Sequence, residues 1–454
     1  MKKLIIYSII LFSGVILIYT ILGSKFLLGK NEDSTDKKKI AALEMPFEFF
    51  TLKNGLQVIL QPDAKQSKVS VKFWLKSGSK NETNNQYGLA HFFEHVTPYG
   101  LKGKDKKLQL LNSAITDGNA QTKKDYTRYF LEVKPNGLEV ALQYTSDRIK
   151  SKSSAITKEK VEQERTRVLN EIEHNSDNAF WSEKGSFAIE SATFGQSHPY
   201  GHGVYGLIEN NKHFSLKDFQ DWFDKTVYPN NILLFVVGNI DAIKTKKRIK
   251  KYFENIPNTK SKHVELKIPK PKQASIKLIE NTNAKDNYQI FVWNIPQWGA
   301  KEDPSFKILA NILDKRLQKT VKLHPILSGA NASDLLNLYQ YAGQFGVYVS
   351  FSSIKDSLKA KKILKKEIDN LITNGITEKE LEQAKKQEME KYLGFEYSRT
   401  ALLGESLLFK NNAGWYFLLL KQALNLKKEA IEKVAKIWLK PNPSSITFVS
   451  KTNN

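Results

Sequence analysis

Two histidines and a glutamate stand close together early in the chain, as His91-Phe92-Phe93-Glu94-His95. On a helix, residues four apart lie about 40° apart on one face, one turn above the other, so both imidazoles reach a single metal ion. Glu94 lies about 60° from His91 on the other flank, where it is placed to act as a general base for a metal-bound water. The alternative at this point is a helix with surface histidines, because three fixed positions in five also arise by chance.

A second predicted helix, residues 158–174, carries two more carboxylates. Glu164 and Glu171 are seven residues apart, and therefore lie about 20° apart on one helix face with an apolar stripe beside them. Glu171 follows His95 after 75 intervening residues. This helix therefore supplies a candidate third ligand and a further acid next to it.

The motif H-x-x-E-H with this later pair of glutamates resembles the pitrilysin-type (M16, inverzincin) zinc metallopeptidase family. The resemblance implies that His91, His95 and Glu171 bind one Zn²⁺ per chain. It implies two catalytic residues: Glu94, which polarises the water at the fourth position, and Glu164, which helps to organise the site. The expected activity is that of an endopeptidase acting on peptides or unfolded segments, and the alternative is a non-catalytic structural subunit of a peptidase-like complex.

The segment Asp117–Thr122, followed by residues 125–133, resembles the family's edge strand, which pairs with the substrate by β-augmentation. The resemblance implies that Asn119 holds the substrate backbone, and that Ala120 and Gln121 lie beside the bond that is cut. An ordinary turn leading into a strand is the other interpretation.

Two other histidines belong to a segment that matches a family landmark, His198-Pro199-Tyr200-Gly201-His202. Landmarks of this kind are structural, so neither His198 nor His202 is predicted as a ligand.

Two features depart from the family pattern. Pro98 lacks a backbone N–H and restricts the residue before it, so the first helix is expected to bend or end just after His95.

The family's second domain also carries an Arg and, seven residues later, a Tyr that steady the tetrahedral intermediate, and the corresponding positions here are Lys322 and Gly329. The resemblance therefore implies the zinc-bearing subunit of a bacterial processing-peptidase-like pair, with a second family chain (another protein or a second copy) supplying the Arg and Tyr. The alternative is that Tyr339 or Tyr341 fills this place.

The expected fold class is α+β, with two related domains that each have a mixed or antiparallel sheet and helices packed on one face, preceded by an N-terminal transmembrane or signal helix. The predicted divisions are a membrane anchor or signal segment (1–25), a tether (26–45), a zinc-binding domain (46–255), a Pro- and Lys-containing linker (256–274) and a second peptidase-like domain (275–454). Strands are predicted at 56–61, 69–75, 232–237, 276–279, 288–293 and 343–351. Helices are predicted at 89–96, 138–150, 158–174, 305–321, 356–374 and 377–392.

The N-terminus indicates where the protein works. Residues 4–22 are 19 uncharged and mostly apolar residues after Lys2 and Lys3, closer to the length of a membrane-spanning helix than to a signal-peptide core. The uncleaved anchor is the favoured prediction, and the positive-inside tendency then leaves the catalytic part on the extracytoplasmic (periplasmic) side.

The composition excludes some functions. The formal net charge is +23, but only seven of the 70 basic residues are Arg, and Lys is spread along the whole chain. This pattern argues against nucleic acid as a partner, because base-reading and phosphate-clamping surfaces favour Arg. The chain has no cysteine, which excludes thiolate ligands, disulfides and a cysteine nucleophile.

Overall fold

The computed structural model describes residues 46–97, 106–177, 180, 182–258, 276–332, 336–394 and 396–451. The predicted anchor (1–25) and tether (26–45), Pro98 and residues 259–274 of the predicted linker lie outside these ranges. Within the ranges, no helix is both long enough and apolar enough to cross a bilayer.

The first domain is built on a six-stranded mixed sheet. Its strands are β1 (Glu48–Thr51), β2 (Gln57–Pro62), β3 (Val69–Leu75), β4 (Ile115–Thr122), β5 (Thr127–Val133) and β6 (Ile232–Gly238). They are arranged in the order β1-β2-β6-β3-β5-β4, where β2 and β6 are parallel and the other neighbours are antiparallel. Its helices are α1 (Leu89–Val96), α2 (Lys106–Ala114), α3 (Leu138–Lys150), α4 (Lys158–His174), α5 (Glu183–Phe194), α6 (Ile208–His213), α7 (Leu216–Thr226) and α8 (Ala242–Phe253).

The second domain repeats this plan. Its strands are β7 (Ile276–Thr282), β8 (Asn287–Ile295), β9 (Leu327–Asn331), β10 (Asn337–Leu338), β11 (Gly343–Phe351) and β12 (Ser444–Ser450). The order is β10-β11-β8-β12-β7, with β9 also paired to β11 and with β12 and β7 parallel. Its helices are α9 (Asp303–Leu323), α10 (Ser357–Asn374), α11 (Glu378–Gly394), α12 (Glu396–Lys410), α13 (Trp415–Leu424) and α14 (Lys428–Trp438). Two mixed α+β domains are therefore confirmed.

Each sheet is covered on both faces, so the expectation of helices on one face is incomplete. On the first sheet, Val58 and Phe73 face the domain's own helices, whereas Trp74 and Phe235 pack against Leu403 of α12 from the second domain. The continuous apolar run of β6 is consistent with this burial on both sides.

The second sheet receives a helix from the first domain in return. Ala188 and Ile189 of α5 pack against Ile290 of β8 and Phe448 of β12. The sequence-based prediction did not include these covering helices, because the sequence of the strands does not reveal which distant helix will bury the second face of their sheet. Each domain therefore contributes a helix to a hydrophobic core on the sheet of the other domain.

A buried polar network also joins the domains at the turn between β4 and β5. Asp125 in this turn accepts hydrogen bonds from Lys80 (2.8 Å), from the hydroxyl of Tyr200 (2.7 Å) and from the backbone N–H of Gln340 in the second domain (3.2 Å). Lys80 also donates to the Gln340 side chain at 2.7 Å. Since Lys80 and Asp125 are both buried, removing either one leaves an uncompensated charge, which is strongly destabilising.

The packing of α12 on the first sheet leads to a stability prediction for Gly404. A methyl group added there would lie 2.6 Å from the Trp74 ring and 2.9 Å from the Phe235 ring. We expect Gly404→Ala to lower the free energy of unfolding by about 1–3 kcal/mol, although alanine normally favours a helix. Thermal and denaturant unfolding of the full chain measure this effect. Gly414→Ala is the control, because its added methyl would have its nearest neighbour 3.5 Å away; equal stability of the two variants would contradict the prediction.

Candidate metal centre

Helix α1 carries the H-x-x-E-H motif and is held mostly inside the first domain. Phe92 and Phe93 are fully buried, and the Phe92 ring packs edge-on against Phe219 of α7 at 4.7 Å between ring centres. His91 is buried, whereas Glu94 and His95 are partly exposed. The helix ends at Val96, so the expectation that it ends just after His95 is confirmed.

The start of α1 is fixed by Glu82, a residue that the sequence analysis did not identify. Gly88 has a left-handed backbone (φ 102°), and its N–H donates to Glu82 at 3.0 Å while the N–H of Ala90 donates at 2.7 Å. His202 Nε2 lies 2.9 Å from the same carboxyl group. Burial raises the pKa of Glu82 well above its usual range and lowers that of His202. His202 and Glu82 therefore share a buried hydrogen bond that supports the start of α1.

Helix α4 supplies the acidic side of the site. It begins after Thr157, whose side chain accepts the N–H of Lys160, and it buries Val161, Val168 and Ile172 against the core. Glu171 sits one residue before this last apolar contact and remains partly exposed, with 38% of its side-chain surface accessible. The apolar stripe thus sets the rotation of the helix that points Glu171 towards α1.

The structure brings His91, His95 and Glu171 together. The Nε2 atoms of His91 and His95 lie 3.7 and 3.5 Å from Glu171 Oε2, and one donor atom from each residue falls within 4.8 Å of the others. The two imidazole rings meet edge to face, with 4.9 Å between their centres. The neighbouring imidazoles of His91 and His95 hold the pKa of Glu171 well below its usual range, so the carboxylate is charged.

These three residues fit a zinc ion. Tetrahedral Zn²⁺ with bonds of about 2.0–2.2 Å places its ligand atoms roughly 3.3–3.6 Å apart, close to the distances of 3.7 and 3.5 Å from the two imidazoles to Glu171 Oε2. Two imidazoles and one carboxylate form the donor set of a catalytic zinc site, which leaves the fourth position for water or substrate. The geometry therefore agrees with the ligand set that the family resemblance implies.

Glu164 lies behind the ligands, on the same face of α4. Its Oε2 is 3.6 Å from Nδ1 of His95, and its Oε1 accepts hydrogen bonds from Lys160 (2.6 Å) and Arg167 (2.8 Å). A carboxylate facing the second nitrogen of a ligating histidine favours the tautomer that leaves Nε2 available for metal. This position supports the predicted organising role and places Glu164 beside His95 rather than among the donor atoms.

Two residues missed by the sequence analysis contact the motif. Thr122, at the end of β4, donates to Glu94 Oε2 at 2.6 Å and so ties the candidate base to the edge strand. The Tyr205 ring packs edge-on against His91 at 4.7 Å, and burial together with the charges of Glu171 and Glu94 raises the pKa of its hydroxyl. The only sequence signal was for Thr122, which is part of the segment that resembles the substrate strand.

The predicted substrate residues lie on β4, which is the edge strand of its sheet, as expected. Residues 127–133 instead form β5, which lies inside the sheet between β4 and β3, so the predicted edge strand extended too far. Asn119 and Gln121 are exposed and Ala120 is partly buried. The Asn119 side chain accepts the N–H of Ala120 at 2.8 Å, and the neighbouring Asp117 covers the N–H of Gly118 in the same way. Contact of these residues with substrate stays a prediction.

The positions that correspond to the family's Arg and Tyr lie in the second domain. Lys322 is exposed in the last turn of α9, and Gly329 lies on β9 opposite Ser350. Tyr339 packs against Tyr200 with 4.8 Å between ring centres, and Tyr341 is 44% exposed beside Lys80. Both tyrosines thus lie at the contact between the domains, and their part in catalysis stays a prediction.

Family models match both halves of the chain. Residues 57–202 match "Insulinase (Peptidase family M16)", and residues 213–388 match "Peptidase M16 inactive domain". The chain belongs to peptidase family M16. The first match contains His91, Glu94, His95 and Glu171, and the second includes most of the strands of the second domain.

Several M16 relatives are similar over long stretches. "Zinc protease PqqE" of Helicobacter pylori is 24% identical over 418 residues, which are 88% of this chain and 92% of that protein. The probable mitochondrial-processing peptidase subunit beta of Schizosaccharomyces pombe is 28% identical over 222 residues, 48% of each chain.

Solved M16 structures show the same fold. A protease from Helicobacter pylori superposes with a TM-score of 0.79 at 22% identity, over 89% of this chain and 100% of that one. The first half of the periplasmic protease PqqL from Escherichia coli gives a TM-score of 0.71 at 18% identity, over 89% and 92%. At these identities the likeness shows the fold.

The position of Glu164 leads to a prediction on metal affinity. We expect Glu164→Gln to weaken zinc binding about 10- to 100-fold, because the neutral amide no longer favours the ligating tautomer of His95. Competition with a chromogenic chelator measures the affinity, and circular dichroism confirms the fold. Glu162→Gln, on the same helix with its side chain 55% exposed, is the control and should bind zinc as the unaltered chain does. Equal zinc affinities for the unaltered chain and both variants would show that Glu164 plays no part in zinc binding.

Proposed function

We propose that this M16 protein is a zinc-dependent endopeptidase that hydrolyses peptides or unfolded protein segments. The observation that carries the proposal is the convergence of His91, His95 and Glu171, with Glu94 anchored by Thr122 to an exposed edge strand. This arrangement supports a metal site and a base beside a strand that could pair with an extended peptide.

The chemistry follows from the positions of these groups. When bound, zinc lowers the pKa of a water molecule and polarises the peptide carbonyl. Glu94 accepts the proton of the attacking water and later gives it to the leaving amine. The hydrogen bond from Thr122 to one oxygen of Glu94 holds the carboxylate in place and leaves its second oxygen to accept the proton. Glu164 acts only through His95.

The edge strand supports a preference for extended substrates. A peptide that pairs with β4 gains main-chain hydrogen bonds, and these replace the local bonds in which Asp117 and Asn119 accept the N–H groups of Gly118 and Ala120. Folded proteins rarely offer a free extended segment of this kind. Peptides and unfolded regions are therefore the substrate class that this strand suits.

We further propose that a second M16 chain, or a second copy, completes the active site. An oxyanion needs preorganised donors, and removal of one costs about 100-fold or more in rate. Lys322 and Gly329 stand where the family carries Arg and Tyr, so these donors would come from a partner. The same substitution favours a second candidate function, a non-catalytic subunit, whereas the full set of ligands together with Glu94 favours the enzyme.

We propose an extracytoplasmic location for the catalytic part. The support is the apolar run at residues 4–22 and the similarity to a periplasmic protease of Escherichia coli. Protease added outside the cytoplasmic membrane should degrade this part in spheroplasts, and protection until lysis would contradict the proposal.

The role of Glu94 gives the main test of this function. Glu94→Gln keeps the size of the side chain but removes the base, so we expect cleavage of an unfolded protein substrate to fall by at least about 100-fold. Zinc content, measured by mass spectrometry of the metal, should stay at one per chain. Glu173→Gln, at an exposed position on α4, is the matched control and should keep full activity.

The partner is tested in the same assay. The full chain is assayed alone and together with any M16 chain encoded beside it. Greater activity of the pair supports the shared site, and equal activity overturns it. Stoichiometric zinc without cleavage in either preparation would overturn the enzyme and leave the structural subunit.

A further inference from the structure

A cavity of about 250 Å³ opens beside the candidate base. It is lined by Glu94, by Asn119 and Ala120 of the edge strand, and by Tyr144 and Arg148 of α3. The volume is large enough for one amino-acid side chain. We call it the Arg148 cavity.

Aromatic rings hold the Arg148 side chain in place. The guanidinium carbon lies 4.6 Å from the centre of the Tyr129 ring, 5.2 Å from that of Phe73 and 5.9 Å from that of Tyr144. Phe73 and Tyr129 are themselves stacked, with 4.6 Å between their centres. Stacking of this kind uses the flat face of a guanidinium, whereas its five N–H groups point outward in the plane and match a carboxylate.

The cavity contains one group that can pair with an acidic side chain. Of the described residues that line it, Arg148 is the only cation and Glu94 the only anion. The Arg148 guanidinium can therefore form a charge-assisted contact with a carboxylate of the substrate. The net charge of +23 adds a general attraction for acidic peptides.

The geometry of strand pairing directs a substrate side chain to this place. Successive side chains of a strand point to opposite faces of the sheet, and the cavity lies on the face that carries α3. Gly118 and Ala120 line the cavity from β4 and leave space because their side chains are absent or small. A peptide paired with β4 therefore points one side chain near the reacting bond into the cavity.

We propose that the Arg148 cavity binds an aspartate or glutamate side chain of the peptide next to the bond that is cut. The inference rests on the proposed peptidase function and adds a substrate class to it. The H-x-x-E-H motif does not imply this preference, which depends on Arg148 and the three rings around it.

Binding tests the proposal without any need for cleavage. The full chain with Glu94→Gln, loaded with zinc, is titrated with fluorescent unstructured peptides that differ only in one central residue: Glu, Gln or Phe. We expect the Glu peptide to bind about 10-fold or more tightly than the Gln peptide, because a charge-assisted bidentate contact is formed. Adding Arg148→Gln should remove this difference.

The controls separate the cavity from the general charge. Lys150→Gln lies two residues further along the same helix at an exposed position, and it lowers the net charge by the same amount. It should leave the Glu-over-Gln ratio unchanged. The proposal would be overturned if the Glu and Gln peptides bind equally well before Arg148 is altered. It would also be overturned if the preference for the Glu peptide remains after Arg148→Gln, or if the Phe peptide binds most tightly.

Cleavage then separates this inference from the proposed function. Cut sites in a digest of unfolded proteins should carry Asp or Glu at one fixed position beside the cut, and Arg148→Glu should exchange this preference for Lys or Arg. Selective binding without any cleavage by the unaltered chain would leave the Arg148 cavity intact and overturn the peptidase. Cleavage with the same site profile in the unaltered and Arg148→Glu chains would overturn the inference about the Arg148 cavity and leave the peptidase function intact.

Discussion

The buried start of α1 is the contact on which the metal centre depends. A helix begins with unpaired N–H groups, and here two of them are bound by Glu82, which in turn is held by His202 from 120 residues later. Gly88 makes the tight entry possible, because an added side chain would lie 2.6 Å from the carbonyl oxygen of Tyr205. These bonds fix the height and rotation of α1, and so place His91 and His95 against Glu171 of α4.

The second domain contributes to the site through the hairpin of β4 and β5. The turn of this hairpin is tied to Gln340 through Asp125, and Tyr126 in the same turn donates to Glu405 of α12 at 2.7 Å. Thr122, just before the turn, holds Glu94. The strand that would pair with a peptide and the base that would act on it are therefore both positioned from the contact between the domains. The second domain, whose described residues contain no group of metal ligands, thus contributes to the position of the site.

The helices that carry the candidate metal ligands were predictable from the sequence, whereas the residues that hold these helices in place were not. The bounds of α1, α3 and α4 agree with the predictions, because each has a clear apolar stripe, and α4 also has a side-chain cap at Thr157. Three residues from other segments support α1, namely Thr122, Glu82 and His202. No local sequence pattern indicates such contacts. Helices α5 and α12 were missed because both are buried between domains: one contains many small residues, and the other carries Gly404 against Trp74.

X-ray absorption at the zinc edge, on the purified full chain, tests the central claim most directly. The account predicts one zinc per chain with two imidazole nitrogens and a carboxylate oxygen among four light ligands at about 2.0–2.2 Å. Glu171→Gln should change the carboxylate contribution and leave both imidazoles in place. A spectrum with fewer than two imidazoles, or zinc that stays far below one per chain when supplied in excess, would contradict the site built from His91, His95 and Glu171.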